Sequence, residues 1–480
     1  MRTERPAFPF LFVLFFASVP LFGWWMTGLF DLDEGFYGAV VAEMNRRGEW
    51  ITPYYNGEPW FEKPILLYWL AKPFVALFGV WIGCRIPSVL CTIGTYAAIH
   101  YFVNRRLGLN TAGFAVFCAG TSLLVLALGR LMMTDAPLNL MLTVAFLSFY
   151  ESLVGEKRWR LLTALMLGLG VLAKGPVCLI LFVLVAGFTY WKQPEHRAAF
   201  RGEWLLGTLI LAATVCTWYL PCYLVNRQEF VQKFLIEQNI GRFTGGDAAH
   251  SIGFASLLGY VPILIVAVFP WGLLEWRAFT KENRTSGFEQ YLFIWAMSIF
   301  VFFSISSAKL PHYVLPVIPP VAILVAKRMS EKPRFEWRSP VLPIVFAIFL
   351  LVILDSLQRG WYKNSGQMEA QLMAIRHPEI TATFRLSRQE KELQTGTTKL
   401  QETSLPSLVM LLNRPLLQTD RPEEIYQRGR QIVFTRSNRL DALSLQEQSY
   451  WKPLERGVNF SVYEVVAPER ANGTTQAPLP

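Results

Sequence analysis

Three carboxylates fall within four residues at Asp31-Leu32-Asp33-Glu34, where an apolar run ends, and a fourth, Asp135, opens another such run in GRLMMTDAPL. Single basic residues stand at comparable places: Lys63 in WFEKP, Lys174 in LAKGP, Arg242 in NIGRFTGG and Lys309 in SAKLPHY. Singly, these groups have ordinary readings. Acids at a helix start gain from its dipole, and a lone lysine at the end of an apolar helix reaches up to lipid headgroups. Jointly, acids and lone cations gathered at one set of span ends suit transfer of a group from a lipid phosphate. The cations would hold phosphate oxygens by charge-assisted hydrogen bonds and stabilise the leaving phosphate as its charge grows. A facing carboxylate would take the proton of an incoming hydroxyl or amine.

The elements that must position these groups are membrane spans. Of 480 residues, 53% are apolar and only 17% charged, against roughly 25% charged in a soluble domain. The mean hydropathy is +0.32. Such a chain is neither disordered, nor collagen, nor a disulfide scaffold; none of its six cysteines forms a C-x-x-C pair. The net charge of +10 does not indicate nucleic acid, because the basic residues cluster in short segments between apolar runs. Apolar runs near 7–30, 82–103, 111–129, 136–153, 160–173, 175–191, 204–222, 253–274, 288–306, 312–326 and 339–354 predict about eleven spans. With the N-terminus cytoplasmic, alternate loops carry Arg105-Arg106, Lys157/Arg158/Arg160, Lys192/Arg197/Arg201, Arg277/Lys281/Arg284 and the cluster from Lys327 to Arg338. That pattern puts the acids, the lone cations and the tail on the outer side.

The first outer loop is long. Within it Pro64–Val80 and Glu34–Arg47 read as amphipathic helices lying in the interface, the second presenting Phe36, Tyr37, Val40, Val41 and Met44 on one face. From Asp355 the composition turns polar, with 16 basic and 14 acidic residues. Helix-like stretches at Gln367–Arg376 and Glu390–Glu402, then strand-like runs at 431–435 and 458–466, predict a small α/β domain outside the membrane. The expected organisation is an all-α polytopic membrane domain over residues 1–354, a soluble domain over 355–468, and a disordered tail over 469–480.

The stretch DLDEGFYGAVVAEMNRRGEWITPYYNGEPWFEKPILLYWL (31–70) resembles the first outer loop of the GT-C glycosyltransferases. The branch is that of the aminoarabinose lipid A transferases and the protein O-mannosyltransferases. GRLMMTDAPL, LAKGPV, the region 237–271 ending in FPW, and SAKLPHYVLPVIPP extend the resemblance, in order, to about residue 330. It implies that Asp33 is the catalytic base, with Glu34 beside it and Asp135 at the second acidic position. It also implies that Lys63 holds donor phosphate, with Lys174, Arg242 and Lys309 as weaker candidates for that task. Tyr37, Tyr55 and His312 are candidate substrate contacts, although His312 could equally cap a helix.

The implied donor is a polyprenyl-phosphate-linked sugar and the acceptor a lipid A, another glycolipid, a glycan or a protein, with inversion at the anomeric carbon. The implied place is the periplasmic face of a bacterial inner membrane. No cofactor is demanded. Glu62, Glu237 and His250 have ligand chemistry for a divalent metal, and some relatives bind one near this F-E-K motif, but the spacing is not a recognised local metal pattern. The rival reading is a transporter or flippase of lipid-linked sugars. It would place ionisable groups at mid-membrane, whereas here they lie at span ends.

Overall fold

The computed structural model describes residues 14, 17–18, 21–23, 27–31, 33–200, 204–241, 260–306, 310–331, 341–386 and 405–466. The chain divides into two compact units. One comprises residues 1–26, 48–53 and 59–358; the other comprises 27–47, 54–58 and 359–480.

The first unit is helical. Its long helices include Ile86–Leu107, Asp135–Leu153, Trp159–Lys174, Val177–Lys192, Leu205–Phe230, Gly287–Ile305 and Ile318–Glu331. Local sequence explains their ends. Ser286 and Glu289 form a capping box at the start of Gly287–Ile305, and Ile86–Leu107 stops at Gly108, whose φ is +86°. The outward surfaces of these helices carry side chains such as Leu205, Leu209, Leu224, Val183 and Val301. So large an exposed apolar surface needs lipid around it. Among the described residues six helices are long and apolar enough to cross a bilayer, or seven if the bent pair Val177–Lys192 and Pro194–Phe200 is one span.

Several expected spans are less regular than their hydropathy suggests. The run 111–129 is broken at Thr121-Ser122 into Leu109–Gly120 and Leu123–Leu128, and Trp159–Lys174 has only 16 residues. Most of the run 7–30 lies outside the described residues, as does 253–259. The helix Leu66–Gly83, read from sequence as interfacial, has the length and hydropathy of a span. It is interrupted at Gly79, whose φ is +72°, so its continuous part covers about 20 Å, short of the roughly 30 Å hydrocarbon core.

Asp135–Leu153 carries an ion pair at each end. Asp135 meets Lys174 at 2.6 Å, and Glu151 meets Arg106 at 2.7 Å. The sixteen helical steps from Asp135 to Glu151 span about 24 Å. Basic residues in the last turns of Ile318–Glu331 are paired in the same manner, Lys327 with Glu289 at 2.7 Å and Arg328 with Glu275 at 3.1 Å.

The second unit holds a five-stranded sheet in the order Leu417–Thr419, Ala382–Phe384, Gln431–Arg436, Phe460–Val465, Trp451–Arg456. The first two pairings are parallel and the last two antiparallel. Phe384, Ile425, Val433, Trp451, Tyr463 and Val465 form its core. The helix Gln367–Arg376 and the strands at 431–436 and 460–465 are where the sequence placed them, whereas 390–402 and 469–480 lie outside the described residues.

Glu34–Arg47 is a helix as expected, but it does not lie on an interface. Gly35, Gly38, Ala39, Ala42 and Glu43 are buried along with the apolar stripe, and the helix packs on Pro406–Leu412 and Tyr54–Tyr55 of its own unit. Small residues on its second face allow that close approach, which converts an apparently amphipathic helix into a buried one.

Candidate active site

The second unit separates the three clustered acids. Asp31 is buried and its carboxylate accepts hydrogen bonds from the Ser407 backbone N–H and hydroxyl, both at 2.8 Å. Its own N–H donates to Gln367 Oε1 at 3.2 Å. Gly35 makes room for this: a Cβ there would stand 2.7 Å from Asp31 Oδ1 and 3.1 Å from the Ser407 nitrogen. Glu34 is also buried, and its Oε2 accepts from the Phe30 N–H at 3.0 Å. Asp33 alone of the three is exposed. It stands just before the helix Glu34–Arg47, where the Tyr37 hydroxyl donates to its Oδ1 at 3.4 Å. Tyr55 is buried with its ring 4.8 Å from that of Phe36.

Asp31 therefore ties the loop to residues far along the chain, a role that spacing alone does not show. Ser407→Ala removes one of the two bonds that Ser407 gives a buried carboxylate and should cost about 1.5–3 kcal/mol. Thermal unfolding of the detergent-solubilised protein would show it as a lowered midpoint.

In the first unit the Asp135 carboxylate is almost fully buried and receives Lys174 Nζ at 2.6 Å. His312 and Lys63 are close enough to act on its charge. Lys174 Nζ also lies 4.9 Å from the centre of the Tyr313 ring, and Tyr260, which donates to the Leu310 carbonyl at 2.7 Å, stands near both Tyr313 and Asp135. Asp135, Lys174, His312 and Lys63, four residues chosen from sequence, thus come together. Tyr260 and Tyr313 join them without having been singled out, and the only signal for Tyr313 was its place beside His312 in LPHY.

Lys63 is half-buried in a segment fixed from both sides. Phe61 packs edge-on against Phe230 with ring centres 5.5 Å apart. Phe230 stacks on Phe234, and Trp218 Nε1 donates to the Ile51 carbonyl at 2.7 Å. Asn226 Nδ2 donates to the Thr52 hydroxyl at 2.8 Å. This aromatic wall holds the F-E-K-P backbone against the helix Leu205–Phe230.

Of the metal-ligand candidates, Glu62 lies near Tyr68, and Glu237 is exposed and accepts from Gln232 at 3.3 Å. His250, Arg242 and Lys309 are outside the described residues. Among the described residues no three His, Cys, Asp or Glu side chains converge as a metal site.

Residues 62–219 match the family of dolichyl-phosphate-mannose-protein mannosyltransferases. An undecaprenyl phosphate-alpha-4-amino-4-deoxy-L-arabinose arabinosyl transferase of Pseudomonas fluorescens is 30% identical over 402 residues, covering 78% of this chain and 67% of the relative. The chain belongs to this arabinosyl transferase family. Its relative from Aeromonas hydrophila is 30% identical over 76% of this chain and 69% of its own length, and that from Sodalis glossinidius 29% over 69% and 62%. The chain thus spans about two thirds of the length of the curated arabinosyl transferases it matches. The crystal structure of ArnT from Cupriavidus metallidurans bound to undecaprenyl phosphate superposes with a TM-score of 0.77 at 18% identity, covering 97% of this chain and 98% of that one. The fold is therefore the GT-C fold of the arabinosyl transferases. Membership of that family disfavours the flippase reading.

Proposed function

We propose that this protein is an inverting glycosyltransferase that moves a sugar from a polyprenyl-phosphate donor to an acceptor at the periplasmic face of the bacterial inner membrane. The observation that carries the reading is the fate of the Asp-Leu-Asp-Glu cluster. Two of its acids are committed to structural hydrogen bonds, and Asp33 is left exposed to meet an acceptor. The relatives' names make an undecaprenyl-phosphate-linked amino sugar the donor to try first. The acceptor is a lipid A, another glycolipid, a glycan or a protein.

In the proposed reaction Asp33 takes the acceptor proton as the acceptor oxygen or nitrogen attacks the anomeric carbon. The bond from that carbon to the phosphate oxygen breaks, and polyprenyl phosphate leaves carrying the electron pair. One base and one displacement invert the centre, without a carboxylate nucleophile. Lys63 balances the charge that grows on the leaving phosphate, with Arg242 and Lys309 as further phosphate ligands. Lys174 is already bonded to Asp135, so its part is to hold that carboxylate and set the local field. Tyr37 orients Asp33, and His312 meets the substrate beside Asp135.

The test uses purified protein in lipid vesicles with the undecaprenyl-phosphate amino sugar and a total polar-lipid extract, followed by mass spectrometry. Free undecaprenyl phosphate and an acceptor heavier by one sugar are expected. Lys63→Ala should lower kcat/KM for the donor roughly 10- to 150-fold, the equivalent of about 1.5–3 kcal/mol for a hydrogen bond to a charged group. An unchanged donor dependence would remove Lys63 from phosphate binding. Movement of the donor across the vesicle without its consumption would overturn the transferase in favour of transport.

A further inference from the structure

The helix Asp135–Leu153 is long and apolar enough to cross a bilayer, yet it buries Asn139, Thr143, Ser148 and Ser152 along its length. The two serines, toward the Glu151 end, are satisfied. Ser148 Oγ donates to the Ala145 carbonyl at 3.2 Å and meets the Thr163 hydroxyl at 2.8 Å, and Ser152 Oγ donates to the Phe149 carbonyl at 2.7 Å. Toward the Asp135 end the pattern reverses. Asn139 is 6% and Thr143 0% exposed, and neither Asn139 Oδ1 nor Thr143 Oγ1 has a hydrogen-bond partner among the described residues. A hydroxyl inside a helix can bond back to the carbonyl one turn earlier, as Thr92 does to Ser88 and Thr95 to Cys91. Thr143 does not.

Both atoms belong to the face of Asp135. At i, i+4 and i+8, Asp135, Asn139 and Thr143 stand one above another at steps of about 6 Å along the axis. Side chains tilt toward the N-terminus of their helix, so Asn139 and Thr143 lean to the Asp135 end. Further down, this face is closed by aromatic packing: the Tyr291 hydroxyl donates to the Phe146 carbonyl at 2.8 Å, and the Trp295 ring centre lies 4.7 Å from that of Phe146. The segment Pro311–Val317, which carries His312 and Tyr313, also packs on the helix. The unpaired atoms therefore begin where the charged cluster ends and stop where the aromatic packing starts.

An unpaired amide oxygen is costly inside a span, and a leucine would fill the position without that cost. A polar group kept in such a place is a mark of function. Asn139 Oδ1 only accepts, so it calls for a ligand N–H or O–H, whereas the Thr143 hydroxyl can give or take. In the proposed reaction a polyprenyl chain has neither group, ionised phosphate oxygens accept, and the acceptor meets Asp33. The transferred sugar has what is required.

We propose that Asn139, with Thr143 below it, is a substrate-contact residue that takes a hydroxyl or amino group of the transferred sugar. This rests on the transferase reading and deepens it, adding a polar floor beneath Asp135.

The test compares full-length wild type, Asn139→Leu and Thr143→Val, the last of which keeps the side-chain shape. Turnover of undecaprenyl-phosphate amino sugar is measured in vesicles, and thermal unfolding in detergent with and without that donor. Without donor, both variants should unfold at or above the wild-type midpoint, since neither loses a bond within the protein. Asn139→Leu should lower kcat/KM for the donor roughly 5- to 150-fold, the cost of stranding a buried polar group of the substrate. The donor should also raise its midpoint less than that of wild type. Lowered midpoints without donor in both variants would overturn the proposal, by showing side chains bonded within the fold through internal water. If only Asn139→Leu is destabilised, Thr143→Val decides by its own kcat/KM, which should fall. Unchanged kcat/KM in stable variants would overturn the proposal while leaving the transferase reading intact. A wild type that consumes no donor would overturn that reading instead. The donor-induced midpoint shift then decides for Asn139: a smaller shift in Asn139→Leu supports the contact, and equal shifts, or none in either, overturn it.

Discussion

Asp33→Asn is expected to reduce sugar transfer by about 10²- to 10⁴-fold, the usual contribution of a positioned general base, while the protein still folds and inserts. The asymmetry among the three neighbouring acids makes this informative. Asp33 is exposed and has one long hydrogen bond, from Tyr37 at 3.4 Å, so amidation disturbs little else. Asp31→Asn, two residues away, should do the opposite, lowering the unfolding midpoint by weakening the bonds from Ser407. Both variants would be compared by turnover of undecaprenyl-phosphate amino sugar and by thermal unfolding in the same detergent. If Asp33→Asn turns over at near-normal rate, Asp33 is not the base.

The second large effect is expected at the Asp135–Lys174 pair, whose side chains are 5% and 15% exposed. Lys174→Met leaves a buried carboxylate without its bonded partner, and Asp135→Asn leaves a buried ammonium without its own. Each should cost about 3–5 kcal/mol, the penalty for breaking a buried ion pair from one side. The double variant Asp135→Asn/Lys174→Met carries neither stranded charge and should regain much of that loss, a coupling on the order of 1–3 kcal/mol. Transfer should not return with stability, because Asp135 is proposed to act at the site. A double variant that is stable and fully active would make the pair purely structural, and additive losses would mean that the two charges do not depend on each other.

What was legible in the sequence follows from what is local. Gln367–Arg376 and the strands at 431–436 and 460–465 show their own periodicity and lie where expected. Trp451–Arg456 was missed because it is an edge strand holding Pro453 and three charged residues, a composition that reads as loop. Ala382–Phe384 and Leu417–Thr419 have three residues each, too few for any alternation to appear. The cluster of Lys63, Asp135, Lys174 and His312 could be anticipated because Asp135, Lys174 and His312 sit at the ends of apolar runs and Lys63 in the first outer loop, all expected on one side of the membrane. The role of Asp31 could not, since its partner is 376 residues away. Burial of Glu34–Arg47 was hidden likewise: its surroundings come from residues 406–412, which nothing near the helix in sequence announces.

That long separation also sets an order on biosynthesis. The unit carrying Asp33 is assembled from residues 27–47, 54–58 and 359–480, so its first pieces leave the ribosome well before its last. At about 5–20 residues per second, Asp31 waits roughly 20–75 s for Ser407. Throughout that interval the helix behind Asp33 lacks the residues 406–412 that bury it. If Asp33 is the base, as proposed, activity is expected only after the final span has been made. Cutting the chain after residue 355 would leave it without Ser407 and the helix Pro406–Leu412, so loss of activity in such a truncation would report on the support behind Asp33.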